Sequence, residues 1–293
     1  MVGVVSQEGD GLAIKGKVAI AWLAMLPASG ASGILYRVLF TKDPSVWLAL
    51  VDVAILALLL TLGYAITAWR PLRGYFLSLV AFAVGSLIVD RITPTVAPSG
   101  WVARMFANTF IQLIPCALLA ISLIGSGLTR RDVFLAKGNM AAPSSMPRWL
   151  PPVRWAWLGP FLTLFLAGGL AVQLALTVRP DARMYGRVLQ GLPLALGFAA
   201  VNAAQEEFRF RAVLLGRLLP VVGTTHALLW TSLLFGLAHW FGHPSGPLGV
   251  LLAGFAGYMW GKSMVETRGS AWAWLIHGFQ DVVIFAFLIM ANG

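Results

Sequence analysis

Six side chains in the last third of the chain have the types and spacings for acid–base chemistry. Glu206 and Glu207 stand side by side in Asn202-Ala-Ala-Gln-Glu-Glu-Phe-Arg-Phe-Arg211. Neighbours on a helix point about 100° apart, so the two carboxylates take different directions. Glu207 and Arg211 are four residues apart and share a face, where pairing keeps the acid ionised and fixes the local geometry. Glu206 then points elsewhere, open to a water or a substrate, and a carboxylate shielded from bulk solvent works as a general base near neutrality. His239 closes Phe235-Gly-Leu-Ala-His239 at the end of an apolar run. His277 and Asp281 again stand four apart, in His277-Gly-Phe-Gln-Asp281. A carboxylate one turn from an imidazole can orient the ring and select its tautomer.

Each residue has a plainer reading. A single histidine in a helix is more often a satisfied packing residue, and that is the reading of His226 and His243. Asp52 stands alone near one end of its apolar run and reads as structural or interfacial. The six together read differently. Two glutamates, an arginine, two histidines and an aspartate on three apolar segments are costly in a lipid environment unless they meet. The expectation is one shared polar site.

The elements that must position them are set by composition. Of 293 residues, 59% are hydrophobic and only 11% are charged, and the mean hydropathy is +0.82. A soluble domain carries about a quarter charged residues, so little is left here for a water-facing surface. Apolar runs fall roughly at 18–40, 46–68, 74–94, 104–127, 155–177, 187–215, 224–240, 246–264 and 271–290. Crossing about 30 Å of hydrocarbon takes about 20 residues, and lipid offers no partners to an unpaired backbone, so the runs read as helices. The fold class is all-α: a polytopic transmembrane bundle of eight or nine helices.

The net charge of +10 does not indicate nucleic acid. The basic residues bracket apolar runs instead of forming a stripe or tail, as topology and lipid headgroups require. The lone Cys116 excludes a disulfide framework within the chain. The run at 18–40 has a short apolar core after Lys15 and Lys17 and also resembles a signal peptide; a retained helix is favoured because apolar character resumes through Leu35. The longest hydrophilic connection, 128–153, carries Arg130, Arg131, Lys137 and Arg148 and reads as cytoplasmic. It separates N-terminal helices at 1–127 from a C-terminal part at 154–293. Gly254, Gly257 and Gly261 lie on one run, where small residues let helices approach closely. The run 187–215, as one straight helix, would measure about 42 Å, so a break or kink is expected near 202–207.

Glu206-Glu207-x-x-x-Arg211, Phe235-x-x-x-His239 and His277-x-x-x-Asp281, in that order on apolar segments, resemble the three motifs of the CPBP family. This group, also called the ABI family, holds the type II CAAX prenyl proteases and the bacteriocin-processing or immunity proteins. The likeness covers about residues 187–290. It implies a glutamate-dependent intramembrane endopeptidase without metal or other cofactor, in a prokaryotic cell membrane. By that likeness Glu206 is the general base and holds the attacking water with His239. His277 and the residue four later serve the oxyanion, and Glu207 with Arg211 is a supporting pair. The implied partners are the bilayer and a membrane-associated peptide or protein. Asparagine is common in the family where this chain has Asp281, and an ionised aspartate cannot donate to an oxyanion. The reading favoured here is that Asp281 orients His277.

Three other readings compete. Gly30-Ala31-Ser32-Gly33 has the form of a serine-peptidase motif, but small-residue packing explains it better. His239, His277 and Glu206 have the donor types of a zinc site, without the H-E-x-x-H pattern. The same acids and imidazoles would also suit a proton-relaying transporter or an immunity or scaffold partner.

Overall fold

The computed structural model describes residues 15–96, 98–146, 151–242 and 244–292. His243, Arg148 and the first fourteen residues lie outside that set. Helices α1 (Lys15–Ala28) and α2 (Ala31–Phe40) are bent by 50° at Gly30, whose φ of 65° is one that glycine adopts at no steric cost. They are followed by α3 (Val46–Ala65), a 3₁₀ turn (Thr67–Leu72), α4 (Arg73–Ile92), α5 (Trp101–Ile111) and α6 (Leu113–Leu123). Two short strands, β1 (Pro143–Ser144) and β2 (Val153–Arg154), pair antiparallel. Then come α7 (Trp155–Val178), α8 (Ala182–Glu206), a π-helical segment (Glu207–Leu215), α9 (Gly216–Ala238), α10 (Gly246–Thr267) and α11 (Ala271–Asn292).

The chain is thus an all-α, polytopic membrane protein. Among the described residues six helices are long and apolar enough to cross a bilayer, or seven if α1 and α2 together make one span. Eight or nine helices were expected, and this count goes by length and apolar character alone. The stretch Ala182–Ala238, 57 residues long, holds the runs at 187–215 and 224–240 and is two helices joined at a kink. Gly223, at φ 78° and ψ 169°, interrupts it between the two. Glycine-rich α10 is not among the six.

Two compact units share the chain. The first comprises Met1–Ile88, Pro115–Thr129 and Arg209–Tyr258; the second comprises Val89–Ile114, Arg130–Phe208 and Met259–Gly293. In the first, Tyr75 Oη and Trp230 Nε1 both donate to the carbonyl of Ala21, at 3.0 and 2.9 Å. Ser32 donates its hydroxyl to Asp52, so the acid in that apolar run has a partner and Ser32 has a structural task. Trp22 Nε1 donates to His226 Nδ1 at 3.3 Å. α9 and α10 touch backbone to backbone: a Cβ on Gly236 would lie 2.4 Å from the carbonyl oxygen of Val250, and one on Gly254 would lie 3.4 Å from that of Ser232.

In the second unit α11 packs along α8 and α7. α7 ends on Arg179 in the left-handed region. Pro180 follows, and Asp181 caps α8 by accepting from the amide of Met184 at 2.9 Å. Trp274 Nε1 donates to the carbonyl of Ala200 at 2.9 Å, and Arg187 Nη1 reaches that of Met290 at 3.3 Å. Numbers rise along α8 as they fall along α11, so the two run antiparallel.

The hydrophilic connection is pinned over its described part. Asn139 donates its amide to Thr267 O at 2.8 Å, Ser270 its amide to Ala136 O at 2.9 Å, and Trp272 Nε1 reaches Met140 O at 2.9 Å. Glu266, just beyond the apolar run of α10, accepts from the Ser145 amide at 2.9 Å and Trp155 Nε1 at 2.7 Å. It also accepts from the Ser145 hydroxyl and from Lys262. Burial pushes the Glu266 carboxyl up, but the hydrogen bonds from Lys262, Ser145 and Trp155 outweigh it and hold the group below its usual range.

Candidate active site

The catalytic-type residues of the second unit converge on the imidazole of His277. α8 stays α-helical through Glu206, and the winding changes to π at Glu207. The break expected near 202–207 therefore takes the form of a change in hydrogen-bond register. π segments are uncommon and concentrate at functional positions.

Both glutamates reach the same ring. His277 Nδ1 donates to Glu207 Oε1 at 2.9 Å, and Nε2 lies 3.5 Å from Glu206 Oε2. Sequence spacing placed the two acids in different directions. They do differ, but by addressing opposite nitrogens of one imidazole and not by separating. Glu207 is 3% exposed and His277 3%, while the Glu206 carboxylate keeps more access, with its side chain 17% exposed.

Asp281 was expected to orient His277 from one turn away. Its Oδ1 lies 3.6 Å from Nε2, beyond a direct hydrogen bond. Its other oxygen accepts from Asn202 Nδ2 at 3.0 Å. The ring's direct carboxylate partner is Glu207, from another helix, because α11 turns Nδ1 toward the start of the π segment and leaves Nε2 facing Glu206 and Asp281.

Two residues join this cluster that spacing did not single out. Asn202 is four residues before Glu206, a polar side chain on an apolar face, and in principle legible. Trp260, on α10, stacks on the His277 imidazole with centroids 3.9 Å apart and planes 12° from parallel. It is 3% exposed. Nothing in the sequence marks it among twelve tryptophans. Gln205 donates from Nε2 to the carbonyl of Thr109 at 2.9 Å, tying α8 to α5.

Arg211 and His239 lie in the first unit and are linked there by Phe235. The Arg211 guanidinium, wholly buried, sits 4.1 Å from the Phe235 ring centroid. A Cβ on Gly257 would come within 2.4 Å of Arg211 Nη2, so this glycine makes room for the guanidinium. His239, half-buried at the C-cap of α9, places its ring centroid 4.4 Å from that of Phe235. Its Nδ1 is 2.8 Å from the carbonyl of Phe235. A carbonyl only accepts, so Nδ1 carries the proton, and Nε2 of the neutral ring offers a lone pair. The Phe-x-x-x-His spacing thus has a physical basis: the phenylalanine supports the arginine with its ring and fixes the histidine tautomer with its backbone. Among the described residues no three His, Cys, Asp or Glu side chains gather in an arrangement that would hold a metal.

The family model described as type II CAAX prenyl endopeptidase Rce1-like matches residues 188–283. That segment, about a third of the chain, is similar to the type II CAAX prenyl endopeptidases that the model describes. No curated protein and no solved structure matches the chain.

Proposed function

We propose that the protein is a glutamate-dependent, metal-independent endopeptidase that cleaves a membrane-associated or lipidated protein or peptide in a prokaryotic cell membrane. The observation that carries the reading is the cluster on His277: Glu207 at 2.9 Å, Glu206 at 3.5 Å and Asp281 at 3.6 Å, on helices otherwise apolar. Burying three carboxylates around one imidazole is costly, and such groups in membrane helices mark function.

Peptide hydrolysis needs a deprotonated water, a donor for the oxyanion and a proton for the leaving amine. In this reading Glu206 takes the proton from the attacking water and returns it to the amine. His239 holds that water through the Nε2 that its backbone-bonded tautomer leaves open. His277, protonated on both ring nitrogens, donates from Nδ1 to Glu207 and from Nε2 to the oxyanion. Asp281, held by Asn202, tunes the same nitrogen from one turn away. Arg211 keeps Phe235 and His239 in place. The matched family is named for prenylated CAAX substrates; for this chain the class is kept at a membrane-associated or lipidated polypeptide, with the N-terminal helices and the pinned connection acting as scaffold.

The test is terminal proteomics of membrane fractions from cells carrying wild type, Glu206→Gln or His239→Ala. New termini should be present in wild type and missing in both variants, with each variant retained in the membrane at wild-type levels. Processing should persist with a strong zinc chelator. Normal cleavage by both variants would overturn the roles; loss under chelation restored by zinc would overturn the metal-free mechanism.

A further inference from the structure

We infer that Trp260 is a positioning residue for the oxyanion donor, its indole fixing the plane of the His277 imidazole. This rests on the peptidase reading and adds to it a residue from α10, which contributes to none of the three motifs. A hydrogen bond at one ring nitrogen does not define an imidazole's orientation. With Nδ1 held by Glu207 at 2.9 Å, the ring still rocks about the line of that bond. Rocking swings Nε2 out of line with Glu206 and Asp281, which lie 3.5 and 3.6 Å away. A parallel indole at 3.9 Å and 12° removes that freedom, because a tilt drives one ring edge into the indole and lifts the other off it. Both partners are buried, at 3% exposure each, so neither is free to swing to another rotamer.

The contact has an electrostatic side. A ring that donates from Nδ1 to Glu207 and from Nε2 to an oxyanion carries both protons and is positively charged. An indole face is the best aromatic surface against which to place positive charge. The stack therefore supports the charged donor without touching the substrate, so its loss falls on the rate and not on substrate affinity. On the same helix Ser263, fully buried, donates its hydroxyl to the Trp260 carbonyl at 2.6 Å. One turn further on, Lys262 and Glu266 tie α10 to the pinned connection. The helix carrying the indole is thus fixed from outside the site.

The experiment uses the full chain in lipid nanodiscs and the substrate found by the terminal proteomics above. Trp260→Phe keeps a flat π face, and Trp260→Leu keeps an apolar filling without one. Leucine should lower kcat about tenfold with KM within about twofold, and phenylalanine should stay within about threefold of wild type. Thermal unfolding of both variants checks the fold, and the phenylalanine result stands even if leucine fails to fold. A Phe variant that loses as much kcat as Leu, or losses that fall on KM, would overturn the positioning role while leaving the peptidase reading intact. Termini unchanged in Glu206→Gln membranes would instead overturn the peptidase reading, and this inference with it.

Discussion

Exchanging the partner of His277 Nδ1 separates the acid that holds the ring from the acid that merely neighbours it. Glu207 Oε1 accepts from Nδ1 at 2.9 Å, and both side chains are almost wholly buried. A hydrogen bond to a charged group is worth about 1.5–3 kcal/mol and a neutral one about 0.5–1.5 kcal/mol. Glu207→Gln keeps an acceptor oxygen in place and loses about 1–1.5 kcal/mol, or about tenfold in rate. Glu207→Ala leaves a buried N–H without its partner, costing about 3 kcal/mol, or more than about a hundredfold. Asp281→Asn should cost no more than about threefold, because Asp281 lies 3.6 Å from the ring and the new side-chain carbonyl still accepts from Asn202. The assay is initial rate at saturating substrate for the purified full chain in nanodiscs, with thermal unfolding in parallel. If Asp281→Asn slows cleavage more than Glu207→Ala does, the assignment of Glu207 as the orienting acid is wrong.

Further outcomes follow from the packing. Gly236→Ala should destabilise the protein by about 1–3 kcal/mol, since its Cβ would stand 2.4 Å from a backbone carbonyl that cannot yield. Gly168→Ala, with nothing within 4 Å, should be neutral or stabilising by up to about 1 kcal/mol; equal unfolding temperatures for the two would contradict the close approach of α9 and α10. Asn202→Leu removes the donor to Asp281 and should slow cleavage several-fold with membrane retention unchanged, read from product formation against protein level. The Glu266 carboxyl is held below its usual range when folded, so the unfolded chain takes up its proton first as the pH falls. Its stabilising effect is present above the ordinary value of 4.5 and fades below it. Wild type should therefore unfold at a higher temperature than Glu266→Gln at pH 7, and the two curves should draw together below about pH 4; a gap that widens in acid would refute this.

Composition and pattern alone determined that the chain is a helical membrane protein, because hydropathy is summed over residues and needs no partner. They also singled out the candidate side chains: Glu206, Glu207, Arg211, His239, His277 and Asp281 are conspicuous because acids and bases in apolar runs are expensive. Where the helices break was less legible, since a hydropathy run does not show the positive-φ kink at Gly223. Partnership was decided only by the fold. Spacing along α11 nominated Asp281 as the partner of His277, but the nearer acid, Glu207, opens the π segment that follows α8, and which helix lies beside α11 is a long-range fact. The same holds for Trp260, an apolar residue without a motif. It acquires a role because packing lays its flat face on an imidazole seventeen residues away in sequence. Local chemistry is written in residue types. Which groups touch is set by how helices pack, and that depends on the whole chain at once.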